Sequence, residues 1–169
     1  MRKLFLLLII CAVLVGCVST GSGGFVTTYD EITGTTEIIH SDLQPGAFYN
    51  LRDNIAGERE HIMMYKLNDT LVLGVWYQYK KWAFFHTAVF LADGERYEIK
   101  LGKGATDIVT GTVLRERYAV PLSAENVARL RSMLASDNCG VAFIGDNYTT
   151  DKFTLSEKIR AAMLATLDL

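Results

Sequence analysis

Much of the chain between residues 25 and 120 alternates between hydrophobic and polar positions with a period of two, which is typical of half-buried β-strands. Clusters of Gly, Asn and Asp separate these segments and predict turns. Residues 71–77 are hydrophobic on both faces and therefore predict a central strand that is covered on two sides. The predicted strands cover residues 25–31, 35–41, 48–52, 61–67, 71–79, 82–92, 95–101, 112–120, 139–145 and 148–153.

Two short turns predict how some of these strands pair. Thr33-Gly34 predicts a hairpin with Ile32 opposite Thr35, which places Asp30 opposite Glu37. Like charges directly across a ladder are unfavourable, so either the register differs or that face is well solvated.

Asp93-Gly94 is the clearest hairpin turn in the chain. With Ala92 opposite Glu95, one face collects an apolar set of side chains, which we expect to form the core. That set comprises Phe84, His86, Ala88, Phe90, Tyr97, Ile99 and Leu101.

Helical periodicity is confined to two segments near the end of the chain, and residues 102–111 predict a loop. Ser123 is a good N-cap for the first helix, and the Thr-Leu-Ser-Glu sequence from Thr154 to Glu157 matches a capping box before the second. We therefore predict an α+β domain, mainly an antiparallel β-sheet with two amphipathic helices packed on it in the C-terminal third. The helical apolar positions are Val127, Leu130 and Leu134, and then Leu155, Ile159, Met163 and Leu167.

The segment from Met1 to Cys17 has the organisation of a secretory leader. Arg2 and Lys3 precede an uninterrupted apolar run, and Gly16 stands before Cys17. The apolar run is within the roughly 7–15 residues of a signal peptide and below the roughly 20 of a membrane-spanning helix. The sequence Leu14-Val15-Gly16-Cys17 resembles the lipobox of bacterial lipoproteins. A signal peptide without lipidation and an uncleaved anchor are the alternatives.

This resemblance implies that residues 1–16 are removed and that the Cys17 thiol carries a diacylglycerol, with an acylated amino terminus. Durable attachment needs at least two acyl chains, so such an anchor would be stable. Val18 stands where many lipoproteins carry an inner-membrane retention Asp, which favours the outer membrane over the inner membrane, with the domain facing the periplasm. Residues 17–24 then form the lipidated Cys and a flexible tether, and residues 25–169 form a single domain.

Charge and cysteine content narrow the possible functions. Without Arg2 and Lys3 the chain retains 17 − 2 = 15 basic residues against 19 acidic ones, and its formal charge is about −4. The chain has no clustered excess of basic residues, so the sequence predicts no nucleic-acid partner. Cys11 leaves with the leader and Cys17 is the lipidation site, so Cys139 has no disulfide partner and is predicted to be a buried thiol.

Candidate catalytic, metal and cofactor motifs are weak. His40, His61 and His86 have no paired metal-ligand spacing, so we interpret them as structural and predict no metal site. Residues 102–106 contain the glycines and lysine of a phosphate loop in the wrong order, and no cofactor is predicted.

Six aromatic residues close together in the sequence, from Trp76 to Phe85, are too many for one strand face to bury. Exposed aromatic side chains mark binding surfaces, and two arginines on one strand face can clamp an acidic group. The alternatives are a two-layer core for the aromatics and a solvated face for the arginines. The candidate binding residues are Trp76, Tyr79, Trp82, Phe84, Arg115 and Arg117.

These features together predict a membrane-anchored envelope lipoprotein that acts as a non-enzymatic binding or assembly-accessory module. Its partners would be the membrane, through Cys17, and an envelope protein or a small ligand. One alternative is an envelope hydrolase whose site combines a histidine with Asp107 or Glu116. Another is a surface-displayed factor that contacts host molecules.

Overall fold

The computed structural model describes residues 23–44, 59–110 and 113–169. The predicted leader, the tether as far as residue 22 and the predicted strand at 48–52 lie outside these ranges. The strands of the described ranges are β1 (Phe25–Asp30), β2 (Thr35–His40), β3 (Arg59–Leu67), β4 (Thr70–Tyr79), β5 (Phe85–Ala92), β6 (Glu95–Lys100), β7 (Ala105–Thr110), β8 (Val113–Pro121), β9 (Gly140–Gly145) and β10 (Phe153–Thr154).

The strands form two antiparallel sheets. The first has the spatial order β1-β2-β3-β4-β8-β7, and the second has the order β10-β9-β5-β6. β4 lies inside the six-stranded sheet, between β3 and β8, and its residues Val72, Leu73 and Val75 are buried. The predicted central strand is therefore confirmed. The chain passes from the first sheet to the second through residues 80–84, which connect β4 to β5.

Two helices complete the α+β fold, as predicted: α1 (Ala124–Leu134) and α2 (Glu157–Leu167). α1 contacts β5 of the second sheet, α2 contacts β2 and β3 of the first, and the two helices contact each other. Ser123 caps α1, as predicted, because its side chain accepts a hydrogen bond from the Asn126 N–H. Within the described ranges, no helix has the length and hydrophobicity needed to cross a bilayer.

The core joins the two sheets through aromatic contacts. Phe85, at the start of β5, packs edge-on against Tyr77 of β4 at 4.9 Å between ring centroids and lies 6.3 Å from Tyr118 of β8. Leu130 and Leu134 of α1 and Met163 of α2 are fully buried beside these strands. Glu116 of β8 lies in this region and is an acidic side chain with an exposed fraction of 0%.

The predicted register of the first hairpin is wrong. Asp30 pairs with Thr35, and Glu37 lies opposite Thr28, so the two carboxylates do not face each other. The Asp30 side chain accepts hydrogen bonds from the N–H groups of Ile32 and Thr33 and thereby stabilises a wider turn. The Thr33 side chain and then these backbone hydrogen bonds lower the pKa of Asp30.

The hairpin at Asp93-Gly94 has the predicted register, with Ala92 opposite Glu95. The predicted core positions of Phe84 and His86 are wrong, because the ladder is irregular between Phe85 and Thr87. A bulge of this kind reverses which side chains face inward. Phe85 is buried in their place, whereas Phe84 and His86 are exposed.

Three further sequence predictions need correction. The expected loop at 102–111 contains an edge strand, because residues 105–110 pair with β8. The expected strand at 148–153 is reduced to an isolated bridge at Thr149 followed by the short β10. The N-cap of α2 is Ser156 rather than Thr154, since the Ser156 hydroxyl accepts the Ile159 N–H.

Candidate binding surfaces

The six candidate residues lie in three different settings. Trp76, Arg115 and Arg117 share the face of the six-stranded sheet that lies opposite Glu116; we call these three residues the arginine face. Trp82 and Phe84 belong to residues 80–84, which we call the aromatic linker. Tyr79 lies on the opposite face of β4 from Trp76. It is half-buried, with its ring centroid 6.4 Å from that of Tyr77, so it belongs to neither surface.

On the arginine face, a cation lies over an aromatic ring. The guanidinium carbon of Arg115 lies 5.4 Å from the centroid of the Trp76 ring. Arg117 is directly opposite Trp76 in the β4–β8 ladder and is exposed. The Nε atom of Arg115 is buried and has no hydrogen-bond partner among the described residues. That atom is inaccessible to an incoming ligand, so the group of this face that can bind an acceptor is the exposed guanidinium of Arg117.

A cavity of about 370 Å³ opens beside Arg117. Its size is within the roughly 300–1,000 Å³ of small-molecule sites. Gly74 shapes its floor, because a Cβ atom there would lie 2.6 Å from Cγ of Met63. Burial and the carboxylate of Glu37 raise the pKa of Tyr65, so its hydroxyl is protonated at neutral pH. The lining side chains include Met63, Tyr65, Trp76, Ala105, Arg117 and Ala119.

On the aromatic linker, two rings stack against each other at the surface. The ring centroids of Trp82 and Phe84 are 5.9 Å apart, and the ring planes differ by 23°. Phe84 is 42% exposed, and Trp82 is half-buried. Lys80 and Lys81 precede this pair and are exposed. The linker therefore presents apolar rings and two positive charges together.

The backbone of the aromatic linker is held by the buried carboxylate of Glu116. Oε1 accepts the Ala83 N–H at 2.6 Å, and Oε2 accepts the Phe84 N–H at 2.9 Å. The Tyr118 hydroxyl donates to Oε2 at 2.6 Å. A carboxylate with several donors can remain buried, because these hydrogen bonds replace its hydration. Burial, followed by the hydrogen bond to Glu116, raises the pKa of Tyr118.

The turn after β9 holds the other side of the linker. The N–H groups of Asn147 and Asp146 donate to the carbonyl oxygens of Ala83 and Phe84, at 3.1 and 3.2 Å. Gly145 packs so closely that a Cβ atom there would collide with the Ala83 carbonyl oxygen. The linker has no regular secondary structure, but the peptide groups of Ala83 and Phe84 are hydrogen-bonded on both sides.

This arrangement keeps Phe84 in a conformation that a bulky residue rarely adopts. Its φ angle is +52°, in the left-handed region that favours glycine. Such strain persists only where the surroundings fix the backbone, and it is frequent at functional sites. The positive φ directs an aromatic side chain to the surface and leaves Phe85 for the core.

The three histidines have separate surroundings. His40 is buried, and its Nδ1 accepts the Asp42 N–H at 3.3 Å. His61 lies opposite Trp76 in the β3–β4 ladder. His86 is exposed, and its Nε2 lies 3.9 Å from Oδ1 of Asp146, which is beyond hydrogen-bond distance. Across the described ranges, no group of three or more His, Cys, Asp or Glu side chains is arranged to hold a metal ion.

The carboxylates of the alternative hydrolase site are also separate. Glu116 is fully buried and accepts hydrogen bonds from three donors within the fold, whereas Asp107 is exposed opposite Arg115. The hydrolase and the host-contact factor stay predictions. Cys139 is a free, buried thiol, as predicted, and burial raises its pKa.

Sequence reasoning missed the role of Glu116 in holding the linker. The sequence did contain a signal for it. Alternation along β8 places Glu116 and Tyr118 on one face of the strand, and Arg115 and Arg117 on the other. A charged residue on the apolar face of a strand requires partners inside the fold. The pattern did not indicate which donors these were, because the linker N–H groups come from a distant part of the chain.

No protein-family model, curated protein or solved structure matches this chain.

Proposed function

We propose that this protein is a lipid-anchored component of the cell envelope whose domain is a non-enzymatic binding or assembly-accessory module. The leader and the sequence Leu14-Val15-Gly16-Cys17 support the anchor through their resemblance to bacterial lipoproteins. Its ligand is an acidic group carried by an envelope protein or by a small molecule, and it binds at the arginine face.

The observation that carries this proposal is the exposed Arg117 at a cavity that Trp76 also lines. Arg115 lies over the Trp76 ring on the same face of the sheet. Guanidinium groups bind carboxylates and phosphates through paired hydrogen bonds, and the aromatic wall accepts an apolar portion of the same ligand.

The test is crosslinking of the full chain in its native membrane, followed by purification and identification of bound proteins and small molecules. We compare the unaltered chain with Arg117→Ala, which removes the exposed guanidinium of the cavity. Arg129→Ala is the matched control, because Arg129 is an exposed arginine on α1. An acidic ligand that is retained with Arg129→Ala and lost with Arg117→Ala supports the proposal. Equal recovery from all three chains would contradict it.

A further inference from the structure

We propose that the aromatic linker docks on the anionic surface of the membrane to which the protein is anchored. This inference rests on the proposed lipid anchor at Cys17 and assigns the second surface to a different ligand. The arginine face would remain available to an acidic partner while the linker contacts lipid.

The side chains of the linker match the chemistry of a membrane interface. Indole and phenyl rings lie favourably at the level of the lipid headgroups, and Trp82 and Phe84 form one stacked surface pair. Lys80 and Lys81 are exposed beside this pair, where they attract anionic headgroups. The exposed carboxylate of Asp146 also lies next to the linker. One negative charge against the two lysines still leaves the local charge positive.

The strand directions point the linker and the tether toward the same end of the six-stranded sheet, and the register aligns Val26 of β1 with Val72 of β4, seven residues before Tyr79. β1, β2, β3 and β4 are successive antiparallel neighbours. The N-terminal end of β1, at Phe25, therefore points in the same direction as the C-terminal end of β4, at Tyr79. The tether enters at the first of these ends, and the linker leaves from the second.

The length of the tether keeps this end of the domain close to the anchor. Residues 18–24 separate Cys17 from β1, and they are rich in Gly and Ser. Their composition predicts a flexible chain, which at this length would span roughly 15 Å. The linker is therefore confined near the bilayer surface, which raises its effective concentration there.

The hydrogen bonds to the linker favour docking without a change of conformation. Glu116 and the turn at Asp146 and Asn147 fix the peptide groups of Ala83 and Phe84. A surface that is ordered before it binds loses less conformational entropy when it docks. The strained conformation of Phe84, which directs its ring to the surface, is therefore already formed before the linker contacts lipid.

The tryptophan content of the chain gives a direct test. The chain contains two tryptophans, Trp82 on the aromatic linker and Trp76 on the arginine face. Trp76→Phe leaves Trp82 as the single indole, and Trp82→Phe leaves Trp76 as the matched control. Each full chain, purified from bacterial membranes, is reconstituted into vesicles of phosphatidylglycerol with brominated acyl chains, which quench indoles that reach the bilayer.

We expect strong quenching of Trp82 and little quenching of Trp76, with both chains floating with the vesicles. Replacing both lysines, Lys80→Ala and Lys81→Ala, should lower the ratio of docked to undocked protein by about 30-fold, and high salt should have the same direction of effect. Equal quenching of both tryptophans would overturn the specific docking. Floating chains with unquenched Trp82 would overturn docking alone, whereas chains that fail to float would overturn the anchor as well.

Discussion

Trp76 and Trp82 are close in the sequence, but the domain holds them in different ways. Trp76 lies on a regular strand between two hydrogen-bonded neighbours, and Arg115 from the adjacent strand covers its ring. Trp82 lies on an irregular linker whose shape depends on Glu116, a side chain from a distant part of the chain. The ladder itself specifies the first surface, whereas a single buried carboxylate specifies much of the second.

This difference predicts that the two surfaces respond differently to substitution. Substitutions of the buried residues that hold the linker, such as Glu116, should reduce both the stability of the domain and the order of the linker. Changes on the arginine face should alter ligand binding with less effect on stability, because Arg117 is exposed and Trp76 and Arg115 are only partly buried.

The largest effect is expected from Glu116→Ala. The substitution leaves three donors without their acceptor, namely the N–H groups of Ala83 and Phe84 and the Tyr118 hydroxyl. Each unsatisfied buried donor costs about 1–3 kcal/mol, so we expect the free energy of unfolding to fall by about 3 kcal/mol or more. Urea unfolding measures this change. Asp107→Ala, at an exposed carboxylate of β7, is the control and should change stability by less than about 0.5 kcal/mol; equal losses would contradict the role of Glu116.

The next effect is expected from Tyr118→Phe, which removes one of the hydrogen bonds to Glu116. A hydrogen bond to a charged group contributes about 1.5–3 kcal/mol. The raised pKa of Tyr118 also predicts a pH dependence. The unfolded chain releases this proton near pH 10, before the folded chain does, so the contribution of Tyr118 is present below about pH 10 and is lost as the pH rises further.

Unfolding curves measured between neutral pH and alkaline pH test this expectation. Tyr118→Phe should be less stable at neutral pH and should lose less stability on going to alkaline pH. Tyr29→Phe is the control, because that ring is exposed. An unchanged alkaline slope in Tyr118→Phe would exclude the proposed coupling between Tyr118 and folding.

A comparable or smaller effect is expected from Gly145→Ala. The added methyl group collides with the carbonyl oxygen of Ala83, and overpacking of this kind costs about 1–3 kcal/mol. The displaced linker should also shift the fluorescence emission of Trp82. Gly24→Ala adds the same methyl group where no atom lies within 4 Å, so it serves as the control. A stable Gly145→Ala domain with unchanged emission would show that the turn does not position the linker.

The smallest effect on stability is expected from Arg115→Ala. Its interaction with the Trp76 ring contributes about 0.5–1 kcal/mol, as is typical of partly exposed cation–π pairs. Thermal unfolding should therefore change little. A loss as large as that of Glu116→Ala would mean that the arginine face is a structural element of the domain rather than a binding surface.

The same contrast explains how much of the molecule the sequence predicted. Strict alternation along β8 correctly placed Arg115 and Arg117 on one face, and the Asp93-Gly94 turn correctly fixed the register of β5 and β6. These features depend on local pattern and turn chemistry. The α+β class followed from the same local signals together with the Ser123 cap.

The failures occur where hydrogen bonds between side chains and the backbone, local or distant, decide the conformation. The inward position expected for His86 is wrong because the irregularity at the start of β5 depends on the linker, and the linker depends on Glu116. The register of the first hairpin is wrong because the Asp30 side chain accepts two backbone N–H groups of the turn. The periodicity of hydrophobic and polar residues does not reveal such contacts.

The most direct test of the division between the two surfaces is photo-crosslinking in intact cells. A photoreactive amino acid replaces Ala105, at the wall of the cavity on the arginine face, or Phe84, on the aromatic linker. We expect crosslinks from position 105 to a protein or small molecule that bears an acidic group, and crosslinks from position 84 to lipid. The same adducts from both positions, or no adduct from position 105, would contradict the assignment of the arginine face as the binding site.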